Sequence, residues 1–213
     1  VIMDPNFRWD EFNRLRSALG YLTPAELIDL ADRGTKVLDP FSVILSRYVE
    51  LGAGNVFYPG AVVECDDEST CAVGGFNVFH GATRIAATGG GNITIGNGTL
   101  IGEGGTQIKS SSPATPVTVD DGARLANGAE LLGPTWVGAG AQILGPISAR
   151  SVTLAAGKPH THPDPDHRGA VLKGFGRADH IRLAPGEVLN ATGDFRTAPV
   201  ERQRAYHPDA PSL

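Results

Sequence analysis

Apolar residues recur every six positions through the middle of this chain, and few folds can satisfy such a period. From Val119 the run reads Val119, Leu125, Leu131, Val137 and Ile143, and most members are followed four residues later by something small: Ala123, Ala129, Thr135, Ala141. Counting back, the spacing returns as Leu51, Phe57, Val63, then Val73, Phe79, Ile85, then Ile95 and Ile101. Leu51, Val73 and Ile95 stand 22 apart, Val119 follows after 24 and Val137 after 18. Three sixes make one coil of 18, so the longer steps are one coil plus four or six residues inserted at a single corner, at 66–69, 88–91 and 110–115.

Stacking such coils gives a triangular prism with equivalent residues about 4.8 Å apart, the ordinary spacing of neighbouring strands. Its first face carries Leu51, Val73, Ile95, Val119 and Val137, and its second Phe57, Phe79, Ile101, Leu125 and Ile143. The third, less regular, carries Val63, Ile85, Gln107 or Ile108, Leu131 and Ala149. Corners this frequent need residues that tolerate unusual φ/ψ or close backbone approach, which accounts for much of the glycine, 28 of 213 residues. A sandwich of ordinary hairpins would instead alternate with period two between turns 8–12 residues apart and show no six-residue phase. Each coil pairs only with its neighbours, so stability is a near-neighbour sum along the stack.

Helical signals precede the repeat. Thr23, Pro24 and Glu26 read as N-cap, first-turn proline and capping-box glutamate, with Gly34 as the stop and Leu27, Leu30 and Ala31 as the apolar stripe. An earlier helix over 10–19 would show Trp9, Phe12, Leu15 or Arg16, and Leu19 on one side. These helices are expected to cover the open top of the prism, whose edge strands would otherwise invite aggregation. The expected division is a helical cap at 1–40, the prism at 41–157 and an irregular extension at 158–213.

Net charge is −5 with no run of Lys or Arg, which argues against nucleic acid or a membrane surface as partner. No stretch of 18 apolar residues exists for a transmembrane helix. The opening VIMDPNFRWDEFNRLR lacks the layout of a secretory signal, and Met3, the only methionine, reads as a start; a cytoplasmic location is the expectation. Cys65 and Cys71 match no common zinc spacing and read as buried small residues.

With ITIGNGTLIGEG and VTVDDGARLANGAELLGPTWVGAGAQILG, the stretch 51–156 resembles the hexapeptide-repeat family, whose fold is the left-handed parallel β-helix. The resemblance implies an all-β prism, a homotrimer with sites in the clefts between neighbouring prisms, and an acyltransferase using acyl-CoA or an acyl carrier protein. The interrupting loop KSSSPATP falls where the acetyltransferase branch also has one. The same fold carries gamma-class carbonic anhydrases and catalytically silent scaffolds.

Acyl transfer needs a base to take the proton of an acceptor hydroxyl or amine, and histidine suits near neutral pH. His80, next to interior Phe79, is turned outward by period two. It resembles the coil-borne catalytic histidine of serine acetyltransferases, although that histidine follows an aspartate and His80 follows a phenylalanine. Asn77, just upstream, is expected on the same side, orienting the ring or binding substrate. Lys173 and Arg177 are candidates for a phosphate or carboxylate of the cofactor.

A second constellation is HTHPDPDHR. In extended backbone His160 and His162 would point the same way and share a divalent metal, with His167, Asp164 or Asp166 adding ligands. Three readings follow: an acyltransferase-like enzyme acting on a small hydroxyl or amino substrate, a metal-dependent lyase or hydratase using the tail histidines, and a non-catalytic trimeric scaffold. The scaffold stays open because KSSSPATP contains no histidine and the usual tail turn of the acetyltransferase branch is missing.

Overall fold

The computed structural model describes residues 8–211; Met3 lies outside them. Two helices open it, α1 (Trp9–Ala18) and α2 (Pro24–Asp29). The Thr23 side chain accepts from the Glu26 N–H while the Glu26 carboxylate accepts from the Thr23 N–H at 2.7 Å, so two of the unpaired donors at the helix start are satisfied reciprocally. A 3-10 turn, Leu30–Arg33, ends at Gly34 in the left-handed conformation. Leu27 is buried in the core. On α1 the inward residue is Arg16 rather than Leu15, which is 59% exposed. The Arg16 guanidinium donates to the carbonyls of Leu22, Pro40, Phe41 and Val43, tying the helix to the chain that enters the prism.

Beyond the helices the chain is a parallel β-solenoid with the architecture of the left-handed parallel β-helix. The first face is a seven-stranded sheet, and its interior column runs in register through Leu51, Val73, Ile95, Val119, Val137, Leu154 and Leu183. The second stacks Val37, Phe57, Phe79, Ile101, Leu125, Ile143 and Leu172. The third stacks Leu45, Val63, Ile85, Ile108, Leu131, Ala149 and Ala178, so Ile108 rather than Gln107 takes the inner position. The columns are buried except at the ends, and an interior change such as Ile101→Ala removes contacts on all sides.

The insertions lie at one corner and bond to each other. Asp66 accepts from the Gly89 N–H at 2.7 Å, Ser69 from the Gly90 N–H at 3.1 Å and Ser110 from the Asn92 N–H at 2.9 Å. They extend the prism sideways without disturbing its core.

Two boundaries differ from expectation. The solenoid begins within the segment assigned to the cap, because Lys36–Val37 already pairs with Val56 and Phe57. It also does not stop at 157. After an insertion at 155–170 the strand Val171–Asp179 rejoins the stack, lying on Gln142–Leu144 at one end and on Ile147–Arg150 at the other, and so turns a corner within one strand. Gly174 and Gly176 make that turn at φ 116° and 130°, where a side chain would collide with the backbone carbonyls of Ala191 and Gly193. Arg182–Leu183 completes the rung, Glu187–Asp194 adds one more parallel strand, and Glu201–Arg202 closes the edge antiparallel. The supposed irregular extension 158–213 therefore contains the last rungs of the prism.

Candidate functional site

Rings stack on both sides of the second face. Inside, Phe57 and Phe79 lie 4.8 Å apart at 11°; outside, their chain neighbours Tyr58 and His80 lie 4.9 Å apart at 25°. The His80 backbone is fixed by its N–H donating to the Ile101 carbonyl at 2.8 Å, and its ring is only partly covered. One imidazole face thus rests on a phenol ring while the side chain keeps access to the outside.

On the next rung the register slips by one residue: Ile101 pairs with Leu125, and Glu103 with Ala126. Gly102 is the extra residue, a β-bulge of the kind that re-aims side chains. At φ 93° it lies against the Thr83 side chain and near the His80 carbonyl, and an added Cβ would overlap Thr83 Oγ1. Glu103 follows it and accepts from Arg124 at 2.7 Å. The Arg124 hydrogen bond and charge hold the Glu103 carboxyl below its ordinary range, and the nearby His80 ring adds to the effect. Tyr58, His80 and Glu103 thus occupy one outward row on three consecutive rungs, and Arg124 on the fourth, paired with Leu100 in the adjacent outward column, joins the row through Glu103.

Among the described residues no carboxylate lies within ion-pair distance of the His80 ring; the Glu103 carboxylate on the next rung is near enough for the ring to act on it through charge alone. Such a row can take a proton from an acceptor, with the carboxylate steadying the imidazolium that forms. Tyr58 and Glu103 were not among the sequence candidates. Tyr58 stands 22 residues before His80, the rung spacing, whereas Glu103 stands 23 after it because of the bulge.

Asn77 is not part of this row. It is three residues from His80, an odd step that alternation carries to the opposite side, and it is fully buried. Its Oδ1 accepts from the Thr99 N–H and hydroxyl, both at 2.8 Å, and its Nδ2 donates to the Gly96 carbonyl at 3.0 Å. With Asn55, whose Oδ1 accepts from the Asn77 N–H at 3.0 Å, it forms a polar ladder that locks one corner.

Lys173 and Arg177 do not form one clamp, because the strand that carries both turns a corner between them. Lys173 sits on the second face over the Tyr206 ring at 6.0 Å, whereas Arg177 is on the third, 3.4 Å from Asp179.

Of the tail histidines, His162 and His167 pack edge to face with ring centroids 5.9 Å apart, but His160 does not join them. The His162 N–H donates to the Pro159 carbonyl at 2.9 Å, closing a turn that breaks the extended geometry in which His160 and His162 would share a metal. His162 Nδ1 lies 3.0 Å from the Asp164 carbonyl, His167 Nδ1 3.5 Å from the Asp164 carboxylate, and His160 lines a separate cavity. Asp164 and Asp166, the expected carboxylate ligands, are both gripped by Arg204. Among the described residues no group of three or more His, Cys, Asp or Glu is disposed to hold a metal ion.

No family model matches the chain, and no curated protein matches it. Among solved structures it is similar to the UDP-N-acetylglucosamine acyltransferase of Francisella novicida, with 14% identity and a TM-score of 0.33. The match covers 74% of this chain and 65% of that one, so the chain spans less than two thirds of that structure's length. Among the described residues no helix is long and apolar enough to cross a membrane.

Proposed function

We propose that the chain is a cytoplasmic acyltransferase-like enzyme that moves an acyl group, taken here as acetyl, from acyl-CoA to a small hydroxyl or amino acceptor. The observation that carries this is the row Tyr58, His80, Glu103, Arg124 beside a glycine bulge. His80 takes the acceptor proton as the acceptor oxygen or nitrogen attacks the thioester carbonyl. The thiolate then leaves, and the proton held on His80 passes to it. Glu103 stabilises the transient imidazolium, Arg124 holds Glu103, and Tyr58 fixes the ring plane.

The functional unit we propose is a homotrimer, with this face lying against a neighbouring prism. Support comes from the outward residues beside the row: Val56, Val78 and Leu100 stand in register, and Leu100 is 38% exposed.

Calorimetric titration with acetyl-CoA tests the donor, and thiol release in the presence of hydroxyl and amine acceptors tests transfer. The expected result is saturable binding, with His80→Asn lowering kcat by about 100-fold to 10,000-fold, the usual contribution of a positioned base. Absence of heat at high-micromolar protein, or full activity in His80→Asn, overturns the proposal. Light scattering after size exclusion tests the trimer.

A further inference from the structure

A cavity of about 380 Å³ opens on the second face near the end of the prism, between the last rungs, the insertion and the tail. Four basic side chains line it: Lys173 from the strand Val171–Asp179, His160 and Arg168 from the insertion, and His207 from the tail. No aspartate or glutamate is among its lining residues. Of the acidic groups on the insertion and tail, Asp164 and Asp166 are held by Arg204, and Glu201 accepts from the hydroxyl of the wall residue Tyr206.

Among the described residues no carboxylate lies within ion-pair distance of any of these four groups. Arg168 directs Nη1 at His207 Nε2, 3.3 Å away, and Nε at the His162 carbonyl at 2.7 Å. Lys173 has the Tyr206 ring but no carboxylate within ion-pair distance among the described residues. Two fixed positive charges and two imidazoles converging on one concave space leave a deficit of negative charge that an anion fills. The rest of the wall combines the apolar side chains of Leu144, Val171 and Val188 and the Tyr206 ring with the amides of Gln142 and Gln203. The volume exceeds what a bare oxyanion occupies and lies within the range of small-molecule sites.

We propose that this cavity binds a small organic anion, with a carboxylate or phosphate head held by Lys173 and Arg168 and a short apolar body against Leu144, Val188 and Tyr206. The tail is part of the site. Gln203 is buried and donates to the Gly169 carbonyl at 2.7 Å, and Arg204 anchors the same segment to Asp164 and Asp166, so Tyr206 and His207 are held over the opening. The site does not include His80, although Arg124, at the far end of the row, pairs with the wall residue Gln142. Four strand spacings of about 4.8 Å put Lys173 roughly 19 Å from His80 along the same face, and the site stands whether or not acyl transfer does.

The test is calorimetry on the full chain with three probes: inorganic phosphate, hexyl phosphate and hexanoate. We expect saturable binding of at least one hexyl compound, tighter than inorganic phosphate. Hexyl phosphate exceeding hexanoate identifies a phosphate ester as the natural class, and the reverse order a carboxylic acid. Lys173→Met, at an exposed position, should raise Kd about tenfold or more, the loss of one charge-assisted contact, and Arg168→Gln should act in the same direction. Arg177→Gln, on the other face, should leave binding unchanged. Thermal melting of each variant separates loss of the site from loss of the fold. No saturable binding of any probe, or binding indifferent to Lys173→Met in a folded variant, overturns the proposal.

Discussion

Asn77→Ala separates a structural asparagine from a catalytic one. The side chain makes three hydrogen bonds, two received from Thr99 at 2.8 Å and one donated to the Gly96 carbonyl at 3.0 Å, and both Asn77 and Thr99 are fully buried. Truncation leaves the Thr99 N–H without a partner, at about 1–3 kcal/mol for a buried orphan donor. The Gly96 carbonyl is partly exposed and regains water, at about 0.5–1.5 kcal/mol, and the Thr99 hydroxyl can rotate. The sum, about 2–4 kcal/mol, is a large share of the roughly 5–15 kcal/mol that holds a domain together. With a urea slope of about 2 kcal/mol/M the midpoint should fall by about 1–2 M. Trp9, on α1, and Trp136, on a strand of the first face, report from distant parts of the stack. Their fluorescence together with circular dichroism shows whether the repeat still melts as one unit. His80→Ala, at a partly exposed position, should shift the midpoint by less than about 0.25 M, equivalent to roughly 0.5 kcal/mol. A similarly small shift for Asn77→Ala, with unchanged slope, would refute the ladder.

Gly102→Ala should cost about 1–3 kcal/mol through its positive φ, and pairing it with Thr83→Ala should recover only the part due to overlap; no loss in the single variant in a urea melt would sink the bulge argument. Burial, and after it the Cys65 charge, push the Cys71 thiol up to about 12, and burial raises Cys65 as well. Neither thiol should then react with a disulfide reagent at about pH 8 until the protein is unfolded, and one fast equivalent in the native state would contradict this. Hydrogen bonds from Arg196 hold the Asp194 carboxyl down to about 2. The pair's contribution is therefore present above the ordinary carboxylate range and lost as pH falls from about 3.8 towards 2. Arg196→Ala should return the Asp194 midpoint, followed by carboxyl-carbon NMR, towards 3.8, and an unmoved midpoint would discount the contact.

What was legible followed from period. The columns from Leu51, Phe57 and Val63 could be written down because each inward position of a stacked rung must be apolar, and the structure pairs them in that register. The capping box at Thr23 was legible because its chemistry is local. Asn77 was misread as a partner of His80, although it stands four residues after Val73, the slot that Ala123 holds after Val119 and Ala141 after Val137. With Thr99, four residues after Ile95, they are buried at the same corner of four successive rungs. Glu103 was not legible, because the bulge that brings it into the His80 row depends on pairing between residues about 23 apart and leaves no local mark except a glycine among many.

The tail was unreadable for a related reason. A six-residue phase survives an insertion only if the residues after it are numerous enough to restate it, and after 155–170 the described chain supplies one full rung and a single further parallel strand. That rung also turns a corner inside Val171–Asp179, where Gly174 and Gly176 replace the usual loop and erase the spacing between Leu172 and Ala178. Both ends of the prism nevertheless solve one problem in the same way. The core of a stacked solenoid is open at each end, and each opening needs an apolar plug. At the start Leu27 of α2 is buried to 1% exposure, and at the finish Phe195, in the 3-10 turn after the last parallel strand, is buried completely. A lone phenylalanine in DFRTAP carries no periodic signal, so it cannot be recognised as a plug until the rungs beneath it are counted. The same late rungs and plug give the tail the footing from which Gln203 and Arg204 hold Tyr206 and His207 over the basic cavity. The part of the chain that the period failed to predict is thus the part that builds a second concave site, one that the prism alone would not have.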